Sequence, residues 1–386
     1  MPLNLKICAC LSALAFLSPA ASAATSSNTL FSEDAAERLD HKIEAIVRQN
    51  NLPSVAVGIY IPGRGHYTFV DGFADLETRR PRRFDQPFRI ASVTKPFAAT
   101  AILVLVDRGL LKKTDHIDKW YPQFPNADKI TIDDLLRMRS GIPAPNDDEV
   151  LAQVYDAPLA PAPPLAKELQ TYAALKLQFI DPNTVGVYTD FNYDILAGIV
   201  QEVTGQDIGT LITETVILPL DLHATLYPTG IDVPGGLHGY GWNPATGRFD
   251  DKTLFNPPLA GASGAVISNI ADLHTFSRAL CKGILLKPET SKEQLEGQPL
   301  GSSTNYGEGV AVGHGFCGHS GTINGYSTDM YYIEKLNLSF VINVNRLDRD
   351  NKSRSTAILD LVTQTILSEL GQTQSPRNDF GRVAHP

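Results

Sequence analysis

Short apolar runs rich in β-branched residues lie near the two ends of this 386-residue chain, with helical patterning between them. Strands so far apart in sequence bury their faces most readily by joining one sheet, which narrows the folds open to the chain. Ser54 to Tyr60 (S-V-A-V-G-I-Y), a Pro-Gly-Arg-Gly turn, His66 to Val70 and the pair Asp71-Gly72 read as a hairpin. Alternating strands return at Gly307 to Val312, Thr328 to Ile333 and Leu338 to Asn343. Pro96 to Arg108 predicts a helix stopped by Gly109, apolar nearly all round and therefore buried. Thr131 predicts an N-cap with Asp134 three residues on; Phe191 to Thr204 is a helix ended by Gly205, and Ala357 to Leu370 a closing amphipathic one. Pro143 to Pro164 reads as a long surface loop. The expected class is α+β: an antiparallel sheet flanked by terminal helices, with a mostly helical second region inserted. Residues 24–105 and 250–386 form the sheet domain in this reading, and residues 106–249 the helical one.

The first 23 residues read differently. A weakly positive start (Met1 to Lys6), an apolar stretch (Ile7 to Leu17) and Ala21-Ser22-Ala23 form a secretory signal peptide too short for a membrane anchor. The expectation is a soluble protein, periplasmic or secreted, cleaved near Ala23. A net charge of -9 without a basic stripe argues against nucleic acid as partner. The nine His show no paired metal-ligand spacing, so no metal and no other cofactor is expected, and a monomer is. Cys281 and Cys317 remain after cleavage. A disulfide and two separate buried thiols both stay open, since sequence does not supply the geometry.

Ser92-Val93-Thr94-Lys95 opens the apolar helix. Three residues along a helix bring the Lys amine to the face of the Ser hydroxyl, where it assists removal of the Ser proton. Backbone N–H groups at a helix start also suit an oxyanion. Two further motifs follow in order. Val187-Tyr188-Thr189-Asp190-Phe191-Asn192-Tyr193 sets a Tyr just before a helix, and Gly318-His319-Ser320-Gly321-Thr322 sits between predicted strands.

With these three motifs the chain resembles the serine β-lactamase and D-alanyl-D-alanine carboxypeptidase superfamily, in particular its class C-like branch. That family reads Ser-x-x-Lys, Tyr-x-Asn, then Lys- or His-x-Gly. Segments 105–111, 134–141, 190–205, 261–280 and 318–326 extend the likeness over most of the chain. The resemblance implies Ser92 as nucleophile, Lys95 and Tyr188 managing its proton, and His319 in place of the usual Lys. It also implies an oxyanion hole from the N–H groups of Ser92 and Thr322, with Asp190, Ser320 and Gly321 lining the substrate. Which of Lys95 and Tyr188 acts as base is open.

Two departures bear on the substrate. Asp190 stands where the family carries Asn, and an ionised carboxylate only accepts hydrogen bonds. Between Asn305 and Tyr326 there is no Arg or Lys to hold a substrate carboxylate. The reading is a serine hydrolase acting on a small-molecule or peptide substrate. A D-Ala-D-Ala carboxypeptidase or D-amino-acid peptidase comes first, then an esterase, then a β-lactamase. A slowly acylating penicillin-binding sensor and a non-catalytic wall-binding protein are the rivals.

Overall fold

In the computed structural model, residues 24–144, 155–174, 179–301, 304–313 and 315–370 are described. The stretch read as a signal peptide, His314 and part of the Pro- and Ala-rich loop lie outside them. The expected hairpin is present as β2 (Ser54–Ile61) and β3 (Gly65–Asp75), with β1 (Thr25–Asn28) added at the outer edge of β3. The late strands are β4 (Gln298–Leu300), β5 (Thr304–Tyr306), β6 (Ala311–Gly313), β7 (Phe316–Ile323), β8 (Tyr326–Ile333) and β9 (Leu338–Val344). All join one antiparallel sheet in the order β1-β3-β2-β9-β8-β7-β6-β5-β4. β9 pairs with β2, Val341 opposite Gly58, and this seam unites the two ends of the chain. Both strands are buried along almost their whole length, which explains why they read as continuous apolar runs rather than alternating ones.

Each face of the sheet has its own helices. α1 (Glu33–Gln49) starts at Ser32, whose side chain accepts from the Ala35 N–H, and buries Ala35, Leu39, Ile43 and Val47 along one stripe. It shares a face with the C-terminal helix, through a core of Val57, Ile59, Phe69, Phe340, Ile342, Ile358 and Val362. On the other face lie α2 (Thr94–Asp107), α3 (Ile132–Leu136), α4 (Phe191–Thr204) and α5 (Ile270–Cys281). The C-terminal helix is α6 (Thr356–Glu369). α5 approaches β2 so closely that a Cβ on Gly58 would meet Ile270 Cγ2 and His274 Nε2 at 2.6 Å, so a larger residue there would force those side chains to shift.

The capping box at Thr131 and Asp134 forms as expected, and Gly205 ends α4 in the left-handed region at φ 72°. Three local expectations change. The helix expected from Pro96 starts at Thr94, because Pro in a first turn forfeits only an N–H that has no partner anyway. Of the strand expected over Gly307 to Val312, Ala311 and Val312 lie in β6, and Gly307 to Val310 are the turn between β5 and β6. Glu308 turns inward there to Arg137 and Lys113, and Gly309 takes φ 77°. The segment expected between strands, Gly318 to Thr322, is itself β7, buried enough to hide its polar character. Cys281 and Cys317 are joined as a disulfide, Cα atoms 6.0 Å apart, tying the end of α5 to the start of β7.

Candidate active site

Ser92 lies in a single 3-10 turn, Ala91–Val93, which runs straight into α2. Ala91 adopts φ 52°, an unfavourable value for a residue with a Cβ. The turn is held by the Ile90 N–H on Val266 O at 3.1 Å, and by the Val266 N–H on Thr94 Oγ1 at 3.0 Å. One helical turn on, the wholly buried Lys95 Nζ lies 3.1 Å from Ser92 Oγ and 3.1 Å from the carbonyl of Ser263. It also lies 2.5 Å from Asp190 Oδ1, and 4.8 Å from the centre of the Tyr188 ring.

Tyr188 and Asp190 are brought here by the start of α4. Asp190 occupies the N-cap position yet makes no capping bond, so its carboxylate is spent on Lys95 instead. Asn192 is turned the other way, accepting from Ser140 Oγ at 2.7 Å and donating to Leu135 O at 3.2 Å. The buried Tyr188 phenol is close enough to Ser92 to be influenced by its hydroxyl. Burial pushes the Lys95 amine below its ordinary value, opposed by the charges of Asp190 and Asp194. Burial pushes the Tyr188 phenol well up, and the Asp190 charge adds to this, while the Ser92 hydroxyl pulls the other way.

The third wall is β7. Its partner β6 pairs only with Phe316 to Gly318, so from His319 onward no described strand lies along that edge. Gly321 packs onto the nucleophile turn: a Cβ there would lie 2.5 Å from Ile90 O and 2.7 Å from Ser92 N. The Ser92 N–H therefore sits against the backbone that continues into Thr322. Strand alternation gives Ser320 and Thr322 the opposite face from His319 and Gly321. Their hydroxyls are engaged there, Thr322 donating to Asn351 Oδ1 at 3.2 Å and Ser320 bonding with Tyr331. His319 is fully buried, Nδ1 2.5 Å from Ser320 O and Nε2 3.0 Å from the Tyr306 hydroxyl. Its ring centre is 6.2 Å from that of Tyr188.

Ser92, Lys95, Tyr188, Asp190 and Gly321 thus converge, with His319 behind Tyr188. Sequence reasoning left out the Ser263 carbonyl, Tyr193 and Tyr306. Tyr193 stood in the quoted Tyr188 stretch without a role, and Tyr306 carried no motif. Among the described residues no group of His, Cys, Asp and Glu is arranged to hold a metal ion.

A buried amine against a serine hydroxyl, a buried phenol beside them and a strand edge next to the serine N–H define a class. It is that of the serine hydrolases of the β-lactamase and penicillin-binding-protein superfamily. A family model described as Beta-lactamase matches residues 39–363, and the chain belongs to that family. It is 27% identical over 290 residues to a penicillin-binding protein of Bacillus subtilis (strain 168), covering 69% of this chain. The match spans 61% of that relative, less than two thirds of its length. Esterase EstB of Burkholderia gladioli is 32% identical over 222 residues, 52% of this chain and 54% of the esterase. The D-amino acid amidase of Ochrobactrum anthropi SV3 shares the fold, with TM-score 0.77 and 23% identity over 88% of this chain and 100% of the amidase.

Proposed function

We propose that this chain hydrolyses D-amino-acid peptides or amides through an acyl-enzyme on Ser92. The observation that carries the reading is the wholly buried Lys95 amine 3.1 Å from Ser92 Oγ. Burial favours the neutral amine, while it holds the proton on Tyr188. Lys95 is therefore the better initial base, and Tyr188 the better acid toward the leaving group. Ser92 Oγ forms a bond to the substrate carbonyl carbon as its proton passes to Lys95 Nζ. The carbonyl oxygen takes the electron pair, stabilised by the Ser92 and Thr322 N–H groups; each such donor is worth about 2.7–4 kcal/mol. Collapse expels the amine, which takes a proton from Tyr188, and the Lys95 proton restores the phenol. Water then attacks the Ser92 ester by the same route in reverse, releasing the acid and the serine.

The substrate side follows from charge. Asp190 puts a carboxylate at the mouth, and the third motif has no Arg or Lys. Both disfavour a free carboxylate beside the scissile bond and so weigh against a strict D-Ala-D-Ala carboxypeptidase. Likeness to a D-amino acid amidase supports the amide reading. Likeness to EstB supports a second, a carboxylesterase, which the same charges admit. Export is part of the proposal: the Cys281–Cys317 disulfide suits an oxidising compartment, and no described helix is long and apolar enough to cross a membrane.

A hydrolysis panel tests the reading: D- and L-amino-acid amides, acetylated D-Ala-D-Ala peptides, p-nitrophenyl esters and nitrocefin. Preferred turnover of D-amides supports it. Turnover of esters alone transfers the chain to the esterases, and nitrocefin turnover to the β-lactamases. A stable penicillin adduct with no turnover makes it a slowly acylating sensor.

A further inference from the structure

Three acceptors surround the wholly buried Lys95 Nζ: Ser92 Oγ, the Ser263 carbonyl and Asp190 Oδ1. An ammonium has three hydrogens, so in the charged form all three are taken. Two aromatic rings also face the nitrogen. The Tyr188 ring centre lies 4.8 Å away, and that of Tyr193, on α4, 5.7 Å away. With its hydrogens committed, a charged Lys95 meets both rings as a cation over a π face rather than through an N–H bond. Tyr193 takes no part in the steps of acyl transfer given above, yet its ring is firmly held. It is fully buried, and its hydroxyl donates to the Leu136 carbonyl at 3.4 Å. The Gly309 N–H donates to the same carbonyl at 3.0 Å. A Cβ on Gly309 would lie 2.7 Å from the Tyr193 hydroxyl and 3.1 Å from the Lys95 carbonyl. The β5–β6 turn is thus wedged against both Tyr193 and the first turn of α2, which fixes the ring relative to the amine.

Among the described residues, the charged and titratable groups that bear on Lys95 are Asp190, Asp194, Tyr188 and Tyr193, all from α4 and its start. Tyr306 and His319 lie beyond Tyr188, and Glu308, beside Gly309, is paired with Lys113 and Arg137. Burial lowers the amine more than the two carboxylates raise it. Asp190 is 57% exposed, so solvent screens its charge, whereas the Tyr193 ring and the amine are both fully buried. Burial also holds the proton on the Tyr193 phenol; the Tyr188 and Glu308 charges add to this and the Tyr306 hydroxyl opposes it. The ring therefore acts on Lys95 through its face and not as a phenolate. Such a contact needs the charge, so it is weak toward the neutral amine and strongest once Lys95 has taken the Ser92 proton.

We propose that Tyr193 is a positioning residue that acts through Lys95: its ring face stabilises the ammonium that Lys95 becomes on accepting the Ser92 proton. It thereby makes a wholly buried amine a strong enough base for the serine. The part played in proton transfer rests on the hydrolase reading above; the contact between ring and ammonium does not.

Carbon-13 labelling of the lysine side chains follows the Lys95 titration by NMR in the folded protein, with no turnover needed; its signal is the one missing from Lys95→Met. Phenylalanine and its fluorinated forms at position 193 keep the shape of the ring, while fluorine drains its negative face. Tyr193→Phe is expected to leave Lys95 titrating within about 0.3 pH unit of the wild type, since the ring remains. Tyr193→Leu moves the titration down by about one pH unit, the size of one desolvated cation–ring contact, and fluorination moves it down in steps. The acid limb of kcat/KM for an uncharged ester shifts in the same order, which a loss of packing alone would not produce. The proposal is overturned if Tyr193→Leu titrates with the wild type, if Tyr193→Phe falls as far as Tyr193→Leu, or if the fluorine series is flat. Should Tyr193→Leu not fold, the fluorine series decides alone. An unreactive Ser92 in a protein whose Lys95 steps down with fluorination sinks the hydrolase reading and leaves the ring contact standing. A reactive Ser92 with a flat series does the reverse.

Discussion

Replacing Asp190 by Asn removes one negative charge from the Lys95 amine and leaves an amide oxygen of similar shape to accept its hydrogen bond. The two side chains are 2.5 Å apart, Lys95 wholly buried and Asp190 57% exposed. Coulomb's law at that separation gives about 1.7 kcal/mol in bulk water and roughly four times that near a protein surface. Because Asp190 stands largely in solvent, the screened end applies, about 1–2 kcal/mol. The sign follows from the causes: the Asp190 charge raises the Lys95 amine against the larger lowering by burial. Without it the amine falls further and more of it is neutral at a given pH. On the acid limb of the profile, where rate follows the neutral amine, kcat/KM for an uncharged ester should rise about five- to thirtyfold. The limb itself should lie at lower pH. Losing Asp190 lowers Tyr188 as well, so the direction holds whichever group receives the proton first. A pH–rate profile of both proteins on one uncharged ester checks it. An acid limb that stays in place, or moves to higher pH, refutes the assignment of Lys95 and Tyr188 to proton transfer.

Gly321→Ala should force β7 off the nucleophile turn, since its Cβ would lie 2.5 Å from Ile90 O. It should cost about 1–3 kcal/mol of stability and about 10²–10³ in kcat as the oxyanion site opens, read by denaturant unfolding and ester hydrolysis. The disulfide closes a loop with sequence separation 36, so Cys281→Ser with Cys317→Ser should lose about 3–4 kcal/mol in urea unfolding. Buried Asp329, accepting from Ser355, is pushed up from 3.8 to about 6 by burial. The native state therefore holds this proton to higher pH than the unfolded chain does. Its contribution is fully present below about pH 4 and is lost, by up to about 3 kcal/mol, as pH rises through 6. Asp329→Asn should flatten that part of the stability profile; an unchanged slope would show that another group sets it.

What the sequence disclosed and what it hid have physical causes. The β2–β3 hairpin, the Thr131 cap and α4 were legible because their signals are local: a glycine turn, a cap three residues from its acid, a glycine stop. β7 was not read as a strand because its Gly, Ser and Thr residues have low apolar content; packing against Ser92 demands the glycine at 321. The β5–β6 turn was read as strand because Val310 is apolar and runs on into Ala311 and Val312 of β6. The buried Glu308, bonded to Lys113 and Arg137 from distant segments, decides the turn. Ser92, Lys95, Tyr188 and Asp190 were found through ordered motifs, and the structure brings them into contact. Tyr306 and the Ser263 carbonyl could not be found that way. One is an ordinary buried aromatic until its hydroxyl meets His319, and the other acts through backbone, which sequence does not mark.

The central claim is that Ser92 forms a covalent acyl-enzyme. Peptide mapping by mass spectrometry, after the folded protein meets an alkyl fluorophosphonate, tests it most directly. The expected result is a single adduct on Ser92, absent from Ser92→Ala and strongly slowed in Lys95→Ala. A folded protein that stays unmodified, or that carries the label elsewhere with Ser92 intact, contradicts the account.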